Sequence, residues 1–270
     1  MGIQSPTEIK AFGGWQRCAD ENVAQRCDAH LAVNNAEALL KSGSAKLPAW
    51  SGMQINRLFI CIAKSILFFM ISWILFGYLS GSILFARLAA KWLNKDELYQ
   101  ESKDGNPGTA NAFMYGGFFC GVITLLGDLL KGAIPVALFL RSQETVGMPN
   151  GLWMIMAAPV IGHAFSVFYR FCGGKGIAVS FGSLIGLIPV WEPLAVLVVL
   201  FLFFSSIIRV KDHFHRTIVT YLTAFIVMLI LLGWNQITMG FSMISFVVFL
   251  RVHMSKEARE KFEVELLWKH

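Results

Sequence analysis

Apolar residues run along this chain in blocks separated by Pro, Gly or charged positions, at about 58–93, 113–140, 151–169, 176–190, 194–208, 217–234 and 236–252. A helix crossing a bilayer needs ~20 such residues. The pattern predicts an all-α membrane protein with about seven transmembrane helices in one bundle, the fourth of them short. The first block, interrupted by Lys64 and Arg87, is too long for one perpendicular span and too short for a hairpin, so it reads as one tilted helix with an overhang. Pairs of glycines one turn apart, Gly77 and Gly81, Gly117 and Gly121, Gly182 and Gly186, suit close helix approach.

Outside these blocks the chain is polar. Residues 1–55 form a polar N-terminal extension without the early apolar region of a secretory signal, and Asn22–Leu40 reads as one amphipathic helix stopped by Gly43. Residues 56–255 are the membrane domain and 256–270 a tail.

Charge tests the placement of the spans, because basic loops mark the cytoplasmic side. Arg87, Lys91, Lys95 and Lys103 follow the first span; Arg170 and Lys175 the third; Arg209, Lys211 and Arg216 the fifth; Arg251, Lys256, Arg259, Lys261 and Lys269 the last. The intervening loops hold little beyond Arg141. This alternation predicts a cytoplasmic C-terminus and an outer N-terminus, although Lys41, Lys46 and Arg57 run against the rule.

Composition agrees with a bilayer as solvent, since 56% of residues are hydrophobic and only 15% charged. The net charge of +6 sits in short segments between apolar blocks, not on a continuous basic face of the kind that nucleic acid requires. Cysteines at 18, 27, 61, 120 and 172 make neither a metal-ligand pattern nor an even disulfide framework. His213, His215 and His253 have no carboxylate partners in a metal-binding arrangement.

Two polar stretches on the same predicted face could carry chemistry. Asp104-Gly105-Asn106-Pro107-Gly108-Thr109-Ala110-Asn111 is a glycine-bearing turn able to aim amide N–H groups at an anion, or an ordinary connection between helices. Cys172-Gly173-Gly174-Lys175-Gly176 joins exposed backbone donors to a positive charge and a following helix N-terminus, a combination suited to phosphate. It lacks the spacing of a nucleotide P-loop. Asp128 and Lys131 share one face of an apolar helix, where charge marks a site or a mutually neutralised pair. His163 lies within the third block and must face the bundle, as a hydrogen-bonded structural residue or as a base. No Gly-x-Ser-x-Gly elbow and no His-x-x-x-x-Asp pair is present.

In order, Gly77-Tyr78-Leu79-Ser80-Gly81-Ser82, Gly105 to Asn111, Asp128-Leu129-Leu130-Lys131-Gly132, Gly162-His163 and Gly173-Gly174-Lys175-Gly176-Ile177-Ala178 resemble the bacterial acyl-phosphate:glycerol-3-phosphate acyltransferase family, across about residues 70–255. The resemblance implies transfer of an acyl group from acyl phosphate to glycerol 3-phosphate, giving lysophosphatidic acid in the bacterial inner membrane, with no cofactor and no metal. It implies catalytic roles for Lys175, Asn106 and Asp104, and substrate binding by Gly105, Gly108, Asn111, Lys131, His163, Gly173, Gly174, Gly176, Arg209, Arg251 and His253. Expected partners are the two substrates, the lipid bilayer and other lipid-synthesis enzymes, but no nucleic acid.

The chain also departs from the family pattern. Asp104 stands where a serine is usual, Val210 to His215 replaces a serine-bearing stretch, and Arg251-Val252-His253-Met254-Ser255 replaces Arg-His-x-x-Asn. A transporter or receptor for a small phosphorylated anion, and a catalytically inactive paralogue, remain as alternatives at this level.

Overall fold

The computed structural model describes residues 52–94, 106–143, 149–255 and 263–266. The expected helix at 22–40, together with Asp104 and Gly105, lies outside these residues. Residues 73–270 contain one compact unit, to which all the contacts below belong.

Five helical segments among the described residues are long and apolar enough to cross a membrane: Ala63–Trp92, Phe118–Arg141, Leu152–Tyr169, His213–Leu232 and Gln236–His253. The chain is thus a multi-pass, all-α membrane protein. The fourth and fifth apolar blocks appear as shorter helices, Ile177–Ile185 and Glu192–Leu202, the latter prolonged by a π-type turn over Phe203–Ile207. Pro189 falls between them and Pro193 stands in the first turn of the second, where its missing N–H costs no ladder bond.

The first block is two helices, α1 (Gly52–Ser82) and α2 (Phe85–Trp92), with Leu84 extended between them. Hydropathy cannot reveal such a break. It leaves the Ile83 carbonyl outside the helical ladder, and a buried charge, Lys131, takes it up at 2.7 Å. In a bilayer a freed carbonyl needs a partner of this kind. The second block also divides, at Gly117 with its positive φ of 84°, into α3 (Thr109–Gly116) and α4 (Phe118–Arg141).

α4 shows how the bundle sorts its residues. Leu126, Leu130, Ile134 and Leu138, one turn apart, are exposed apolar positions, whereas Thr124, Asp128, Lys131, Pro135 and Phe139 are buried. This inversion of the soluble pattern is what lipid demands, with apolar side chains outward and ionisable ones facing the bundle.

α5 (Leu152–Ala164) crosses α1 where side chains are missing: a Cβ on Gly81 would collide with the Pro159 backbone, and one on Gly162 with the Tyr78 carbonyl. α6 (Ile177–Ile185) lies against α4 in the same way, Gly182 meeting Leu129 backbone and Gly132 meeting Val179 and Ser183 backbone. The glycine spacing in the sequence is therefore a packing device at these crossings.

α7 (Glu192–Leu202) leads through the π-type turn into β1 (Ile208–Val210). β1 pairs antiparallel with β2 (Val264–Leu266), with Arg209 opposite Glu265. α8 (His213–Leu232) is capped by Asp212, which accepts from the His215 amide at 3.0 Å, and α9 (Gln236–His253) by Asn235 in a capping box with Thr238.

Candidate active site

The polar centre of the bundle is built on α4. Asp128 and Lys131 form an ion pair of 2.8 Å with both side chains only 2% exposed. A buried pair of this kind is tolerated when its remaining polar atoms are satisfied. Lys131 Nζ is also 2.8 Å from His163 Nδ1 on α5 and donates to the Ile83 carbonyl, while Asp128 Oδ2 accepts from Thr109 Oγ at 3.4 Å. One cluster thus ties together the α1–α2 break, α3, α4 and α5. Ser80 adds a bond from its hydroxyl to the Lys131 carbonyl, at 3.1 Å.

Thr109 opens α3 immediately after the Asn106-Pro107-Gly108 turn. The Asn106 carbonyl closes that turn, accepting from the Gly108 amide at 2.8 Å and from the Asn111 side chain at 3.0 Å. Asn106, Gly108 and Asn111 are therefore held as one unit and attached through Thr109 to the buried ion pair.

The glycine loop lies on the other side of His163. The Gly174 amide donates to the His163 carbonyl at 3.1 Å. A Cβ on Gly173 would strike that carbonyl, and one on Gly174 would strike Nε2 of the same ring. From the last span, Arg251 donates through Nη2 to the Gly173 carbonyl and through Nε to the Gly174 carbonyl at 3.4 Å, with its guanidinium 5.5 Å from the centre of the Phe165 ring. Because a trans peptide sets its C=O and N–H in opposite directions, the amide of Lys175 points away from Arg251. Lys175 is 7% exposed, and Gly176 takes a positive φ of 82° to start α6. The loop therefore has its carbonyls turned to a cation and its following amide directed to the opposite side, an arrangement suited to an anion.

The structure brings Lys131, His163, Gly173, Gly174 and Arg251 into one connected set, with Lys175 and Gly176 adjoining in sequence. Two further candidates have other neighbours. Arg209 is exposed on β1 opposite the tail strand, and His253 ends α9 with its ring near Phe214 and Phe249. Conversely, Thr109 and Ile83 belong to the cluster without having been candidates. Thr109 left no sequence signal beyond its motif, and a backbone carbonyl leaves none. Asp128, readable from the sequence as a site residue or as a neutralising partner, also lies 3.8 Å from His163.

A groove of about 400 Å³ opens between α8 and α9, lined mainly by Ile218, Tyr221, Leu222, Phe225, Phe246 and Phe249. Val248 also lines it, and would lie 3.7 Å from a Cβ placed on Gly176. The apolar groove and the glycine loop are thus neighbours. At its wall the Tyr221 hydroxyl meets Ser180 Oγ, which donates to the Ile177 carbonyl in the first turn of α6.

Comparison with known proteins places this arrangement. The chain is 38% identical over 113 residues to glycerol-3-phosphate acyltransferase of Pseudomonas paraeruginosa, across 42% of this chain and 58% of that protein. It is 37% identical over 126 residues to the enzyme of the same name from Pseudomonas syringae, across 46% and 64% respectively. The aligned stretch thus spans less than two thirds of these relatives. The crystal structure of PlsY (YgiH), described as an integral membrane glycerol 3-phosphate acyltransferase in its glycerol 3-phosphate form, matches with a TM-score of 0.55 and 26% identity, over 68% of this chain and 88% of that one. Its lysophosphatidic acid form matches with a TM-score of 0.55 and 25% identity, over 67% and 87%. The sequence pattern of one family matches residues 71–260, which include every motif of the cluster, and the chain belongs to that family, the glycerol-3-phosphate acyltransferases.

Proposed function

We propose that this protein is a membrane acyltransferase that moves an acyl group from acyl phosphate to the first hydroxyl of glycerol 3-phosphate, forming lysophosphatidic acid and inorganic phosphate. The observation that carries the reading is the Gly173-Gly174-Lys175 loop, shaped from one side by His163 and from the other by Arg251. It supplies backbone donors and a lysine for phosphate, next to a groove apolar enough for an acyl tail.

The chemistry asks little of the side chains. The hydroxyl oxygen of the acceptor forms a bond to the acyl carbonyl carbon, the negative charge collects on the carbonyl oxygen, and the bond from that carbon to the phosphate oxygen breaks. Phosphate leaves as an anion, and a phosphate oxygen takes the hydroxyl proton. Most of the rate then comes from holding two bound groups in line and from donors directed at the developing oxyanion. Lys175 and the loop amides serve that purpose, with Asn106, Gly108 and Asn111 completing the acceptor side.

The alternation of basic loops supports a location in the bacterial inner membrane, with the glycine loop and the C-terminal tail on the cytoplasmic side. The direct test is phosphate release by purified protein. Release that requires both acyl phosphate and glycerol 3-phosphate is expected. Folded protein that releases none with any acyl chain length overturns the proposal, and uptake of unchanged solute into proteoliposomes would then point to a transporter.

A further inference from the structure

The hydrogen-bond inventory around Lys131 assigns the proton on His163. An ammonium has three donors and no lone pair. Lys131, ion-paired with the Asp128 carboxylate at 2.8 Å, donates to the Ile83 carbonyl (2.7 Å) and lies 2.8 Å from His163 Nδ1. Because the ammonium can only donate, Nδ1 accepts from it and carries no proton. The ring N–H is then on Nε2.

That nitrogen faces the glycine loop, since a Cβ on Gly174 would collide with it. His163 is 2% exposed, and among the described residues no acceptor meets Nε2. A ring N–H that faces the loop and meets no protein acceptor is open to an acceptor supplied by a ligand. We propose that the Asp128–Lys131 pair fixes His163 as its Nε2–H tautomer, and that this N–H donates to a phosphate oxygen of the anion held on the Gly173–Lys175 loop. His163 is then a binding donor for phosphate and not a base, while Asp128 and Lys131 are positioning residues acting through it. The inference rests on the phosphate-binding reading of this loop but not on turnover.

The test is nitrogen NMR of protein in which the six histidines carry ¹⁵N, the His163 signals being identified by their loss in His163→Asn. The expected spectrum shows an unprotonated Nδ1 and a protonated Nε2, with the Nε2 signal moving on addition of inorganic phosphate. A protonated Nδ1, or an Nε2 signal indifferent to saturating phosphate, overturns the proposal. In Asp128→Leu/Lys131→Met, which removes both charges together and so leaves neither buried alone, the ring should show both tautomers. The apparent Kd for inorganic phosphate should rise roughly tenfold to a hundredfold, the range for one hydrogen bond to a charged group. Unchanged phosphate affinity in the folded double variant also counts against the proposal. Failure of the acyltransferase reading is separable, for it would leave the tautomer and the phosphate-induced shift in place without phosphate release.

Discussion

Arg251 reaches from the last span to the carbonyl of Gly173, more than seventy residues earlier in the chain, and its Nε bonds the next carbonyl in the same loop. A planar fork can serve two adjacent carbonyls where a point charge cannot. Arg251→Lys should therefore retain the charge but lose one bond, lowering kcat/KM roughly tenfold to a hundredfold. Two-substrate phosphate release measures it, and a Lys variant as active as the parent would show that charge alone matters.

Gly174 has the ring of His163 where its side chain would be. Gly174→Ala should displace loop or ring by about an ångström, and misplacement of that size costs on the order of a hundredfold in rate. The expected loss is in kcat/KM, with the detergent-solubilised protein still folded by thermal melting.

Crossing glycines should behave differently, as stability sites. Gly81→Ala puts a methyl into the Pro159 backbone, which cannot yield, whereas Gly77→Ala meets the Ala158 methyl at 3.1 Å. Overpacking costs about 1–3 kcal/mol. Gly81→Ala should lie at or above the top of that range and Gly77→Ala near the bottom, as a graded fall in melting temperature.

Asp104 places an anion in a motif proposed to bind phosphate. Asp104→Ser replaces repulsion with a hydroxyl donor, and the KM for glycerol 3-phosphate should fall roughly tenfold, the size of one charge-assisted hydrogen bond. A rise in KM instead would show that the chain has adapted to its acid.

What the sequence makes legible depends on how far apart the partners are. Span positions follow from local apolar runs, and the Asp128–Lys131 pair from a three-residue spacing on one helix. The third member, His163, lies 32 residues from Lys131, and no local pattern couples the two. The helix break at Ile83 and Leu84 is invisible for another reason, since apolar residues continue through it and the carbonyl it frees is met by a charge 48 residues away. The position of Arg209 after an apolar block gives no sign of the tail strand, since the pairing of β1 with β2 joins segments more than fifty residues apart. Glycine spacing gave the crossings but not the partner helices, for a missing side chain names no neighbour.

The hold of Arg251 on the loop has a bearing on how the protein is made. Gly173 and Gly174 leave the ribosome long before α9, yet the carbonyls that give the loop its shape are fixed by a guanidinium carried on α9. A nascent chain that has inserted only through α8 carries the glycine loop and Lys175 without their clamp. The clamp therefore arrives only with the docking of the final helix, and a partly inserted chain has its loops complete but not yet held in the arrangement proposed for phosphate.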